Sequence, residues 1–187
     1  MPIGQAKFGL LGGVASISDS LEKIETQTLS DDTAIDFDSL GTGYKAHLFI
    51  CNNIHIDDNR DQNIRAKVGG SVDATNDYFR AFENQFTNNN WYEDRDATLN
   101  RLRINSEVGG FSPECWNAYI YMYNALSSTQ YTFFTQSNNV IGHDGSLGNR
   151  YGAGGYLETD ALSGVQFFPS SGFMRSGTIT LYGIRNS

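Results

Sequence analysis

Trp116-Asn117-Ala118-Tyr119-Ile120-Tyr121-Met122-Tyr123-Asn124 alternates without a break, and that alternation decides the fold class. Successive side chains of a strand point to opposite faces, so Trp116, Ala118, Ile120 and Met122 fall on one face and Asn117, Tyr119, Tyr121 and Tyr123 on the other. The first face is a core face. The second is a ladder of three tyrosines, each with apolar area and a polar tip. Two readings of that ladder stand: ordinary cross-strand packing, or a subunit interface through Tyr119, Tyr121 and Tyr123.

Outward from this strand, runs rich in β-branched and aromatic residues recur between clusters of Gly, Asn, Asp and Ser. Strands are predicted over Ile24 to Leu29, Ala34 to Phe37, Tyr44 to Asn52, Ile64 to Val68 and Leu99 to Ile104, then Trp116 to Leu126, Tyr131 to Thr135, Gly155 to Glu158, Gly164 to Phe168 and Thr178 to Ile184. Short strands so spaced predict an all-β sandwich or barrel. Tyr44-Lys45-Ala46-His47-Leu48-Phe49-Ile50-Cys51 ends with apolar residues on both faces, as in a strand covered from both sides, which points to two packed sheets. Phe79, Phe82 and Phe86 lie at helical spacing, so Asn76 to Phe86 is expected as one short helix. Gly142 to Gly155 is expected as a long glycine-rich loop with an exposed tip. The middle of the chain, from 52 to 105, is rich in Asn and Asp and fits the strand pattern least.

The chain has 187 residues, enough for one domain that needs no metal or disulfide staple. Twelve Phe, ten Tyr and two Trp accompany only 18% charged residues, against the roughly 25% usual in soluble domains. A net charge of −8 and a pI near 4.7 repel nucleic acid and anionic lipid, so neither is an expected partner. Two cysteines, Cys51 and Cys115, do not make a secreted disulfide framework and are expected as buried free thiols. Residues 1–20 mix Gly, Ala and Ser with isolated Ile3, Phe8, Leu10 and Leu11. This stretch is too short and interrupted for a signal peptide or membrane span, and is expected to be an arm that orders by docking those four residues on another protein. The sandwich domain then runs from 21 to 187.

No motif nominates catalysis or a cofactor. The glycine-rich segment lacks the Gly-Lys-Ser/Thr ending of a phosphate loop. Asp57-Asp58-Asn59-Arg60-Asp61-Gln62-Asn63 places oxygens at alternate positions but has Val68 where a calcium loop needs glutamate, so it is expected as a solvated turn. His47, His55 and His143 are scattered and lack metal-ligand spacing. A glycosidase pair of carboxylates is set by distance in space and leaves no mark in a sequence. Trp91, Tyr92 and Tyr151, with Asn and Asp nearby, are candidate glycan contacts.

The most specific stretch is Gly164-Val165-Gln166-Phe167-Phe168-Pro169-Ser170-Ser171-Gly172-Phe173-Met174-Arg175-Ser176-Gly177-Thr178-Ile179-Thr180-Leu181-Tyr182-Gly183-Ile184. Val165 and Phe167 share a face, Pro169 to Gly172 supplies a turn, Ser176-Gly177 a second bend, and Ile179, Leu181 and Gly183 oppose Thr178, Thr180 and Tyr182. This ending resembles that of a set of small bacteriophage virion proteins, which finish with a Pro-x-x-Gly turn and a Gly-Ser/Thr-x-apolar-x-Leu-Tyr-Gly-Ile strand. The strand near Ile24 to Leu29 and the following Tyr44-Lys45-x-x-Leu48 are also similar to theirs. The resemblance implies a β-sandwich, often a trimeric jelly roll, displayed on the capsid or tail, and it transfers no catalytic residue.

The resulting expectation is a non-enzymatic virion protein, assembled in the host cytoplasm and decorating the capsid through its N-terminal arm. Its partners are copies of itself, as a trimer, and a major capsid or tail protein. The alternative is a tail-attached fibre or receptor-binding protein whose sandwich holds a host surface glycan.

Overall fold

The computed structural model describes residues 20–57, 59–110 and 112–185, which form thirteen strands. In chain order these are β1 (Leu21–Leu29), β2 (Ile35–Phe37), β3 (Ala46–Ile56), β4 (Arg60–Val68), β5 (Ser71–Val72), β6 (Tyr78–Phe86) and β7 (Trp91–Leu99). Then come β8 (Leu102–Val108), β9 (Trp116–Tyr123), β10 (Thr132–Ile141), β11 (Leu147–Tyr156), β12 (Gly164–Pro169) and β13 (Met174–Ile184). The docking residues Ile3, Phe8, Leu10 and Leu11 lie outside the described residues.

Two antiparallel sheets pack face to face. The larger runs β1-β13-β3-β9-β10-β11-β6-β7, and the smaller runs β2-β12-β4-β5, with β8 also paired to β4. Eight of the strands nest as pairs: β1 with β13, β2 with β12, β3 with β9 and β4 with β8. That is the order of a long hairpin ribbon wound over itself, a jelly roll. The other strands are insertions. Hairpins β6–β7 and β10–β11 extend the large sheet beyond β9, in the order β10-β11-β6-β7.

The core follows from period-2 patterning. Trp116, Ala118, Ile120 and Met122 of β9 are all buried, as their alternation predicts. Phe49 of β3 meets Phe37 of β2 and Phe167 of β12 edge to face, with ring centroids 5.4 and 5.2 Å away, so one aromatic cluster joins the two sheets. Strand β3 is covered less completely than expected: Phe49 and Cys51 are core, Leu48 is buried on the outer face, and Ile50 is exposed. Cys51 is buried and Cys115 only half-buried; both are free.

Three expectations need correction. Asn76 to Phe86 contains no helix; it is strand β6, with Tyr78, Phe82 and Asn84 inward and Ala81 and Gln85 outward. The helical spacing of its phenylalanines has another cause. Phe86 and Phe79 cover glycines of β11 from opposite sides of the sheet, since Phe86 pairs with Gly148 and Phe79 with Gly155. A Cβ on either glycine would come within 2.4 Å of the facing ring. The glycine-rich segment is accordingly mostly strand β11, and only Gly142 to Ser146 remains a turn, closed by the Asp144 carboxylate, which accepts from the Ser146 N–H (2.9 Å) and hydroxyl (2.6 Å). The run Leu99 to Ile104 is not one strand, because the chain turns at Asn100-Arg101 between β7 and β8.

The C-terminal segment forms two strands as read, but they belong to different sheets. The turn after Pro169 carries the chain from the small sheet to the large one, where β13 lies between β1 and β3. The bend at Ser176-Gly177 is a register shift against β3, with Gly177 at φ 118°, inside the region that favours glycine. The Asp57 to Asn63 run, expected as a solvated turn, is only partly one: Arg60 to Asn63 open strand β4, with Gln62 and Asn63 buried, while Asp57 in the preceding turn accepts from the Phe173 N–H (2.9 Å) and from Arg175 (2.7 Å). His47 sits in β3 with Nε2 2.8 Å from the Leu40 carbonyl, His55 also lies in β3, and His143 is in the β10–β11 turn.

Candidate functional site: the outer face of the large sheet

Register across the large sheet assembles side chains far apart in the sequence into rows on the face that points away from the small sheet. One row holds Leu21, Ile184, Ala46, Tyr123, Phe133 and Phe79, with Gly155 between the last two. The next holds Tyr182, Leu48, Tyr121 and Thr135 and ends at Arg95 on β7. Beyond it come Thr180, Ile50, Tyr119, Ser137, Tyr151 and Glu83, with Glu93 at the edge. The last is a row of amides, Asn117, Asn139, Asn149 and Gln85, ending on Trp91. The face is thus divided along the strand direction: aliphatic and aromatic at one end, amide-rich at the other.

The three tyrosines of β9 all lie on this face. Tyr121 is edge-on to Tyr119 and stacked with Tyr123, each pair with centroids 6.2 Å apart. Ring contacts along β9 therefore hold the ladder in place without covering it, since Tyr119 is 52% and Tyr123 37% exposed. The candidate glycan contacts separate. Trp91 (57% exposed) and Tyr151 (39%) share the outer face. Tyr92 is turned to the opposite face, where it stacks on Phe86 with an interplanar angle of 11°, because adjacent residues of a strand alternate. The Tyr151 hydroxyl donates to Glu83 on the neighbouring strand.

Ionisable groups converge elsewhere, between the sheets. Asp94 of β7 is buried and accepts from Arg80 (2.9 Å), Arg103 (2.6 Å) and Arg150, whose guanidinium lies 4.8 Å over the Phe82 ring. Arg103 also reaches Asp61 at 3.4 Å. Burial alone would raise the Asp94 carboxyl, but the charge of Arg150 and the hydrogen bonds and charge of its other arginines outweigh it and hold it below the usual carboxylate range. Burial pushes Arg150 down to about 10, against the pull of Asp94, so it remains charged at neutral pH. The cluster lies where β8 packs on the inserted strands β6, β10 and β11. Gln136 and Asn138 of β10 complete this polar seam by donating to the Ile104 carbonyl at 2.8 and 3.0 Å. Two hollows, of about 400 and 310 Å³, lie on the outer face of the inserted strands, the smaller with Glu83, Glu93 and Arg95 in its lining.

Neither the amide row nor the Asp94 cluster was nominated from the sequence. Within each strand the two-residue spacings were visible, such as Asn117 and Tyr119, or Asn149 and Tyr151. Their alignment across five strands depends on register. Compared with known proteins, the chain matches no family model and no curated sequence.

Proposed function

We propose that the protein is a non-enzymatic structural component of a bacteriophage particle, a jelly-roll domain that self-associates and decorates the capsid through its N-terminal residues. The observation that carries this reading is the aliphatic and aromatic end of the large sheet, which none of the described residues covers. There Leu21, Tyr123 and Phe133 are exposed and contiguous in register with Ile184, Tyr182 and Tyr121. Exposed apolar patches of this kind mark protein interaction sites, and aromatic residues are enriched in interface cores. The phage-like ending contributes directly to it. In Leu181-Tyr182-Gly183-Ile184, Leu181 enters the core, Gly183 gives way to the Tyr44 ring, and Tyr182 and Ile184 face outward onto the patch. The burial of Asp94 and Arg150 inside the sandwich supports a structural rather than a catalytic use of the charged residues.

The test is association with phage particles assembled without this chain. The full chain should sediment with them, and a chain lacking residues 1–15 should stay folded and soluble but remain in the supernatant. Equal sedimentation of the shortened chain, or none by the full chain, contradicts the proposal.

A further inference from the structure

We propose that the amide-rich end of the outer face binds an extended, uncharged polysaccharide running across the strands from β7 to β9. The site is independent of the apolar patch and of the N-terminal residues.

Three features converge on that ligand. The first is the amide row itself. Gln85, Asn149, Asn139 and Asn117 stand on four adjacent strands, and an amide carries both donors and an acceptor, the complement of a sugar hydroxyl, although the Asn117 oxygen already accepts from the Asn53 N–H at 2.7 Å. Asn117 and Asn139 bond each other at 3.3 Å, while no hydrogen bond among the described residues engages the side-chain amides of Gln85 or Asn149.

The second feature is the spacing of the exposed rings. Trp91, Tyr151 and Tyr119 stand on β7, β11 and β9, alternate strands of the sheet, so they recur at lateral steps of roughly 10 Å, twice the strand separation. Flat rings so spaced can stack on alternate sugar rings of an extended chain, with the amides alongside. Two of the rings are held before any ligand arrives, Tyr151 by its bond to Glu83 and Tyr119 by its edge contact with Tyr121, which lowers the ordering cost of binding.

The third is shape and charge. The hollow of about 310 Å³ beside Tyr151 is lined by Ala81, Glu83, Glu93, Arg95 and Gly152. Its companion of about 400 Å³ includes Gln85, Asn139 and Asn149 of the amide row. Glu83 and Glu93 outnumber Arg95 there, and the whole chain carries −8, so an anionic glycan is repelled and an uncharged one is not.

Of the two tryptophans, Trp116 is sealed in the core, so a ligand-induced change in tryptophan emission reports Trp91. The probes are cellohexaose, chitohexaose and maltohexaose, with a heparin hexasaccharide as the anionic control. At least one neutral hexasaccharide should change the emission saturably and heparin should not. By calorimetry, Trp91→Ala and Tyr151→Ala should each bind roughly tenfold or more weakly, the loss typical of truncating an aromatic anchor. Tyr182→Ala, at the apolar end, should bind as the parent does. Circular dichroism of each variant separates a lost contact from a lost fold, and Asn149→Ala offers a second, smaller truncation in the amide row. Binding of none of the neutral probes, preference for heparin, or equal affinity of the Trp91 and Tyr151 variants with the parent overturns the assignment. Particle sedimentation does not depend on these outcomes, so either proposal can fail alone.

Discussion

Replacing Asp94 with alanine should lower the unfolding free energy by about 3–5 kcal/mol, the cost of removing one partner from a buried ion cluster. The reason is what remains. Arg80, Arg103 and Arg150 converge on this one carboxylate, so the variant leaves the almost wholly buried Arg150 without a counter-ion, beside two guanidiniums that keep only longer bridges, Arg103 to Asp61 at 3.4 Å and Arg80 to Asp96 at 4.0 Å. Asp61→Ala should cost much less, since its bridge to Arg103 is longer, at 3.4 Å, and more exposed. Urea denaturation of both variants checks the order, and a loss below about 1 kcal/mol for Asp94→Ala would contradict the role given to the cluster. The same carboxylate sets an acid limit. Its folded pKa lies below the unfolded value near 3.9, so its contribution is present above that pH and is lost as pH falls through the folded value. His47 adds an earlier loss. Burial lowers its pKa against the opposing hydrogen bond to Leu40, so the unfolded chain takes up its proton first, below about pH 6.5.

Phe167→Ala should cost a similar amount, about 3–5 kcal/mol, by opening a cavity between the sheets. Its ring lies on β12 of the small sheet and meets Phe49 of the large sheet at 5.2 Å and Phe37 at 5.9 Å, so its loss weakens the cluster that joins the layers. Phe133→Ala is the matched control: the same residue type on the outer face, 42% exposed, should change stability by less than about 1 kcal/mol in an isolated subunit. Equal losses at the two positions would mean that the layers are not held through the Phe37, Phe49 and Phe167 contact.

What the sequence made legible was the part of the fold in which burial and alternation agree. In β9 every second residue enters one apolar core, so the pattern alone assigns both faces. In β7 the positions facing Arg80 and Phe82 are Asp94 and Asp96, which pair with arginines, so its polar alternation lay outside the predicted strands. In β11 the inward and outward glycines have no side chains to show a period, and the information lies in the phenylalanines of β6 that cover them. Those phenylalanines in turn mimicked a helix, because Phe79 serves one face of the sheet while Phe82 and Phe86 serve the other. Trp91 and Tyr151, singled out by residue type, do share the exposed outer face. Tyr92 does not share that face, since neighbouring positions of one strand alternate and its ring stacks on Phe86.

The proposed self-association runs through the apolar end of the open face of the large sheet. Multi-angle light scattering of the full chain at micromolar concentration tests it most directly. A particle of three times the 20.7 kDa chain mass, reduced to one chain when Tyr121 and Tyr123 are both replaced by lysine, is the predicted result. A parent protein that stays monomeric, or a trimer unaffected by that double substitution, would contradict it.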